Sequence, residues 1–146
     1  RQMCIRDSPY GASKQLKNMR KILYTAIWKP ITPFPVNPGF ERVTRVTVKP
    51  ENLQKFLMMT EKLQAEMNAA GDEFEMGVLV AVGGGSKENS LMVRGIAPDG
   101  KSFGELYEKG YSGKAPWGTT LAAMQSLIDV VVRDSHEQCG MLYTAE

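Results

Sequence analysis

Few residues of this 146-residue chain have types and spacing suited to chemistry. His136 is its single histidine. An imidazole titrates near neutral pH, so it could act as an acid-base group or ligate a haem iron. His136 also stands where a helix is expected to meet the last strand, a place where a cation is favoured by the helix dipole without any chemistry. That structural reading is preferred. No second histidine or cysteine stands at metal-ligand spacing, so a zinc site is not expected. Gly83-Gly84-Gly85-Ser86-Lys87 has the composition of a phosphate loop, but such a loop must lead into a helix whose N–H groups face the anion. A strand follows here, and the stretch reads as a hairpin loop.

Arg45 and Arg94 both fall on the face of a sheet turned away from the helices. A buried arginine is costly unless paired, so each implies either a carboxylate on a ligand or a structural ion pair, for which Glu75 is a candidate partner. Structural pairing is favoured, because unpaired buried charge is rare. Tyr107, Tyr111 and Trp117 flank a glycine-rich bend, Gly110 to Gly118. Such aromatics could line a cleft for a flat apolar ligand or form a local cluster that pins the bend. Arg45, Arg94, Tyr107 and Trp117 are expected to converge on one cavity between the sheet and the bend. No serine, cysteine or carboxylate pair shows nucleophilic or glycosidase logic.

The composition bounds the partners. With 42% hydrophobic and 23% charged residues the chain has the make-up of one soluble globular domain. Its 18 basic and 16 acidic residues are interspersed without a basic stripe, which argues against nucleic acid and anionic membrane. Apolar runs such as VLVAV and LIDVVV are too short to span a bilayer. Of the two cysteines, Cys4 lies in Arg1 to Ser8, a stretch that resembles translated sequencing adapter. Cys139 then remains alone and forms no internal disulfide.

The elements that must position these residues are read from periodicity. Tyr10 to Arg20 is polar and helical towards its end, and Lys21 to Lys29 alternates as a strand. Pro30, Pro33, Pro35 and Pro38 make an extended linker ahead of Gly39. Glu41 to Lys49 alternates, with Thr44, Val46 and Val48 on one face and Val43, Arg45 and Thr47 on the other. Asn52 to Ala70 has Leu53, Phe56, Leu57, Thr60, Leu63 and Met67 at helical spacing, and Gly71 ends it. Phe74 to Val82 and Leu91 to Ala97 form a hairpin. Ser102 with Glu105 reads as a capping box opening a short helix to Lys109. A second long helix is expected over Thr119 to Asp134 and a last strand over Gln138 to Thr144.

The order β-α-β-β-α-β is the split βαβ pattern of an α+β, ferredoxin-like fold. With the phrase RVTRVTVKPENLQKFL, Arg42 to Leu57, the chain resembles the dimeric α/β-barrel superfamily, in particular its antibiotic-biosynthesis-monooxygenase and NIPSNAP-like members. The resemblance covers Phe40 to Ala145. It implies that two such sheets close face to face, as two chains or as a tandem repeat, and that a small hydrophobic or aromatic molecule binds in the cleft of each half. Leu23-Tyr24-Thr25-Ala26 recurs as Leu142-Tyr143-Thr144-Ala145, which favours the tandem form and makes Tyr10 to Lys29 the end of a preceding repeat. The partners expected are therefore a small-molecule ligand and either a second copy or the missing first repeat. Function divides between a ligand-binding barrel, a monooxygenase-like enzyme for a small aromatic substrate, and a structural or oligomerisation domain. No cofactor is predicted, haem being the one with a candidate ligand. Helices can cover only one face of the sheet, so much of the other face should be bare.

Overall fold

The computed structural model describes residues 26–34, 37–83 and 90–140. Arg1 to Ser8, the helix expected before Arg20, both Leu-Tyr-Thr-Ala stretches apart from Ala26, the hairpin loop over 84–89 and the end of the last strand lie outside the described residues. The elements are β1 (Ile27–Pro30), β2 (Gly39–Val48), a 3-10 turn (Pro50–Asn52), α1 (Leu53–Ala69), β3 (Glu75–Gly83), β4 (Leu91–Ala97), α2 (Gly100–Tyr111), α3 (Gly118–Gln125) and β5 (Ile128–Cys139).

The strands form one sheet in the order β1-β3-β4-β2-β5, and every neighbouring pair is antiparallel. Without β1, the remaining order and the run β2-α1-β3-β4-α2/α3-β5 make a ferredoxin-like α+β unit. β1 adds to the free edge of β3, with Trp28 opposite Ala81 and Lys29 opposite Val80.

Alternation decides which side chains meet the helices. Val46, Met76, Val78 and Leu91 point to the helix face and pack with Phe56, Leu63 and Met67 of α1. Phe56 and Val46 are fully buried, and burial of each such side chain is worth about 1.5–3 kcal/mol. The buried stripe of α1 is Phe56, Thr60, Leu63 and Met67, whereas Leu53, expected inside, is exposed. Leu53 opens the helix and projects before the sheet begins to cover it. At the other end the chain turns through Gly71 at φ 74°, with Gly71 N–H donating to Asn68 O at 3.0 Å and Asp72 N–H to Met67 O at 3.1 Å. This is a Schellman close, and its left-handed residue requires glycine.

Three expectations are corrected. The second long helix stops at Gln125, and Ile128 begins a twelve-residue strand that pairs with β2 from Val48 back to Gly39. Ile128, Val130, Val131 and Val132 are β-branched, which disfavours helix and suits the pleated edge they occupy. The cap of α2 is Asp99, whose carboxylate accepts from Ser102 N–H at 2.8 Å, so Ser102 lies inside the helix and is not its cap. Asp99 reaches the orphan donor directly and leaves Glu105 on the surface with Lys101. Nor is the outer face bare: Val43, Leu79, Ala81 and Ile96 are buried. Residues after β1 turn onto that face, where Phe34 sits over Gly77 and the Arg94 guanidinium, and Trp28 lies under Arg45. Thr32 Oγ1 accepts from Val78 N–H at 2.7 Å, fastening this proline-rich segment to β3.

Candidate ligand cavity

Between the helix face of the sheet and the three helices lies a cavity of about 620 Å³. That size is ordinary for a small-molecule site. Val46, Met76 and Val93 form its floor, Leu63 and Met67 one wall, and Trp117, Leu121 and Met124 another.

The bend between α2 and α3 is held in place by the end of α1. The Schellman turn presents Asp72, whose carboxylate accepts from Trp117 Nε1 at 2.7 Å and from Lys109 Nζ at 2.7 Å. Trp117 is thereby buried with its single polar group satisfied. The indole lies against Gly110, where an added Cβ would stand 2.9 Å from the ring, so glycine there lets the bend close onto α2. Asp72 was not singled out from the sequence, although it directly follows the glycine that ends the helix.

One side of the cavity is polar. Arg42 reaches it from β2 and Tyr107 from α2, and Asp134 of β5, outside the lining, holds Arg42 there. Arg42 donates from Nε to Asp134 Oδ1 at 2.8 Å and from Nη2 to Oδ2 at 2.6 Å, a bidentate pair. Its Nη1 donates to the Tyr107 hydroxyl, and Thr44 Oγ1 donates to Asp134 Oδ1 at 3.0 Å. The hydrogen bond from Arg42 holds the Asp134 carboxyl below the usual carboxylate range. Asp134 in turn raises the affinity of Arg42 for its proton, against the opposing effect of burial. Burial pushes the Tyr107 phenol up, with Arg42 pulling the other way. Near neutral pH the group is thus a cation, an anion and a neutral phenol, with no net charge.

Tyr107, Tyr111 and Trp117 line this cavity together, Tyr111 at its exposed rim with its ring 5.7 Å from that of Tyr107. Arg45 and Arg94 do not share it, because register places them on the outer face. Arg94 forms a bidentate pair with Glu41, Nε to Oε2 at 2.8 Å and Nη2 to Oε1 at 2.7 Å. Its partner is therefore Glu41 rather than Glu75, which is exposed. Glu41 is 1% exposed and also receives the Cys139 thiol at 2.6 Å. His136 lies within β5, stacked on Phe40 at 5.9 Å and edge-on to Phe103 at 5.5 Å. It stands at no helix end, since α3 finishes at Gln125, and the cavity lining does not include it.

Arg42 and Asp134 carry the polar end, and neither was anticipated. Arg42 shares its strand face with Thr44 and Val46, so alternation alone puts a charge among core positions. Asp134 was hidden by the helix expected over its stretch. No described helix is long and apolar enough to cross a membrane.

No protein-family model matches the chain, and no curated protein is a significant match. Among solved structures, the chain is similar to a provisionally assigned monooxygenase from Fusobacterium nucleatum subsp. nucleatum, with a TM-score of 0.44 and 16% identity over 81% of this chain. The chain spans about half the length of that protein, 48%.

Proposed function

We propose that this domain is a member of the dimeric α/β-barrel superfamily that binds a small apolar or aromatic molecule between its sheet and the α2-α3 bend. The observation that carries the reading is the cavity itself: about 620 Å³, walled mainly by aliphatic, methionine and aromatic side chains, with a few polar residues, Arg42 and Tyr107 among them, in its lining. Sites of this kind take their affinity from the apolar walls and their orientation from a few polar atoms. The ferredoxin-like strand order supports the superfamily reading.

The test is a titration with a neutral acyl-naphthalene dye whose emission shifts to the blue in apolar surroundings. Saturable one-to-one binding is expected, and Leu121→Trp, which fills the cavity from α3, should abolish it while the chain stays folded by circular dichroism. Equal dye binding by the folded variant would place the site elsewhere. Oxygen uptake with added phenols separates the enzymatic alternative from simple binding: uptake that depends on the intact cavity would make the domain monooxygenase-like.

A further inference from the structure

We infer that the cavity selects a neutral ligand carrying a hydrogen-bond acceptor such as a ketone, in preference to the corresponding carboxylate, and that Tyr107 sets this specificity. The inference deepens the cavity reading above and rests on it. An arginine at the side of an apolar cavity would ordinarily suggest an anionic ligand. Here the guanidinium charge is already matched: Nε and Nη2 donate along one edge to the Asp134 carboxylate, and a third of its five N–H groups, on Nη1, goes to the Tyr107 hydroxyl. An incoming carboxylate would meet a guanidinium already neutralised by Asp134, with Asp129 also in the cavity lining, and would lose its water with little return.

Tyr107 offers a different handle. Its oxygen accepts from Arg42, which leaves the hydroxyl hydrogen to be donated, and none of the hydrogen bonds seen among the described residues uses it. A phenol that accepts from a cation is a stronger donor in turn. Burial keeps it protonated, so the donor persists across the neutral range. Tyr107 lines the cavity, and a neutral oxygen on a flat ring system could take that hydrogen bond while the ring lies against the apolar walls.

Competition for the acyl-naphthalene dye tests this with three probes of one shape: 2-acetonaphthone, 2-naphthoate and naphthalene. The ketone should bind about tenfold more tightly than naphthalene, the ratio expected for one added hydrogen bond, and also more tightly than the carboxylate, which loses its hydration without gaining a counter-charge. Tyr107→Phe should weaken the ketone about tenfold and leave naphthalene unchanged, a pattern that general loss of structure would not give. Asp134→Asn frees the arginine charge, and 2-naphthoate should then overtake the ketone. If the dye binds but the carboxylate matches or exceeds the ketone in the unaltered chain, the inference is overturned and the cavity reading stands. Dye binding with displacement by neither polar probe overturns it equally. If no dye binds, the cavity reading falls and takes the inference with it.

Discussion

The ion pair on the outer face gives the sharpest energetic prediction. Glu41 is 1% exposed, and the Arg94 side chain retains only 17% of its exposure. Replacing Glu41 with Gln leaves the guanidinium largely desolvated without its counter-charge. Coulomb attraction between unit charges about 4 Å apart is about 4 kcal/mol at an effective dielectric of 20. Breaking one side of a buried pair costs about 3–5 kcal/mol. Because Arg94 keeps some water, the lower figure applies, and Glu41→Gln should destabilise by about 3 kcal/mol. In a chain of this size that is a fall of about 10 °C in Tm. Removing both partners, as Glu41→Leu with Arg94→Met, should cost far less than the sum of the two single changes, since an apolar pair replaces buried charges at little penalty. Urea denaturation with an unchanged slope reads all four corners of the cycle. Single-variant losses below about 1 kcal/mol, or additive losses in the double variant, would refute the argument. Arg94 would then be uncommitted and available to a ligand on that face.

Gly71→Ala forces an alanine to φ 74° and should cost about 1–2 kcal/mol, read as a lower urea midpoint. Asp72→Ala removes the acceptor of both Trp117 and Lys109, so the chain should lose about 1–3 kcal/mol. In a Trp28→Phe background, that variant's indole emission should shift to the red as Trp117 gains solvent. Arg42 holds the Asp134 carboxyl low in the folded chain, so on acidification the unfolded chain takes up this proton first. The resulting stabilisation is present above the unfolded carboxylate value, near 4, and is lost as pH falls through the folded value. Melting between pH 7 and pH 3 should therefore show a smaller acid-induced drop for Asp134→Asn than for the unaltered chain.

Periodicity made half of the fold legible. Of the stripe Leu53, Phe56, Leu57, Thr60, Leu63 and Met67, four positions are buried and Leu53 is exposed, and of Thr44, Val46 and Val48 only Val46 is fully buried, on a strand covered on both faces. The stretch after Gln125 was ambiguous because Leu127, Ile128 and Val131 satisfy helical spacing while also forming a short apolar run. The β-branched cluster was the better signal, and pairing along the whole of β2 decided the matter. That one error concealed Asp134, and with it the reason Arg42 is tolerated on the helix face. Arg45 and Arg94 were assigned to the correct face, but a cavity shared with Tyr107 and Trp117 required them to pass through the sheet. Partner choice was not readable: Glu41 and Glu75 both neighbour β4 on the outer face, and only three-dimensional register shows which carboxylate meets Arg94. The N-terminal segment's return over Gly77 leaves no periodic trace, and the bareness expected of the outer face followed from missing it.

Trp117 offers the most direct measurement of whether the cavity between sheet and helices is a binding site. It lies in the cavity wall, buried and fixed to Asp72, and Trp28→Phe leaves it as the only tryptophan. Titrating that variant with 2-acetonaphthone should quench the Trp117 emission saturably, with one-to-one stoichiometry, and Leu121→Trp should block binding when followed by calorimetry. Quenching that rises linearly without saturation, together with no measurable heat in the unaltered chain, would contradict the account.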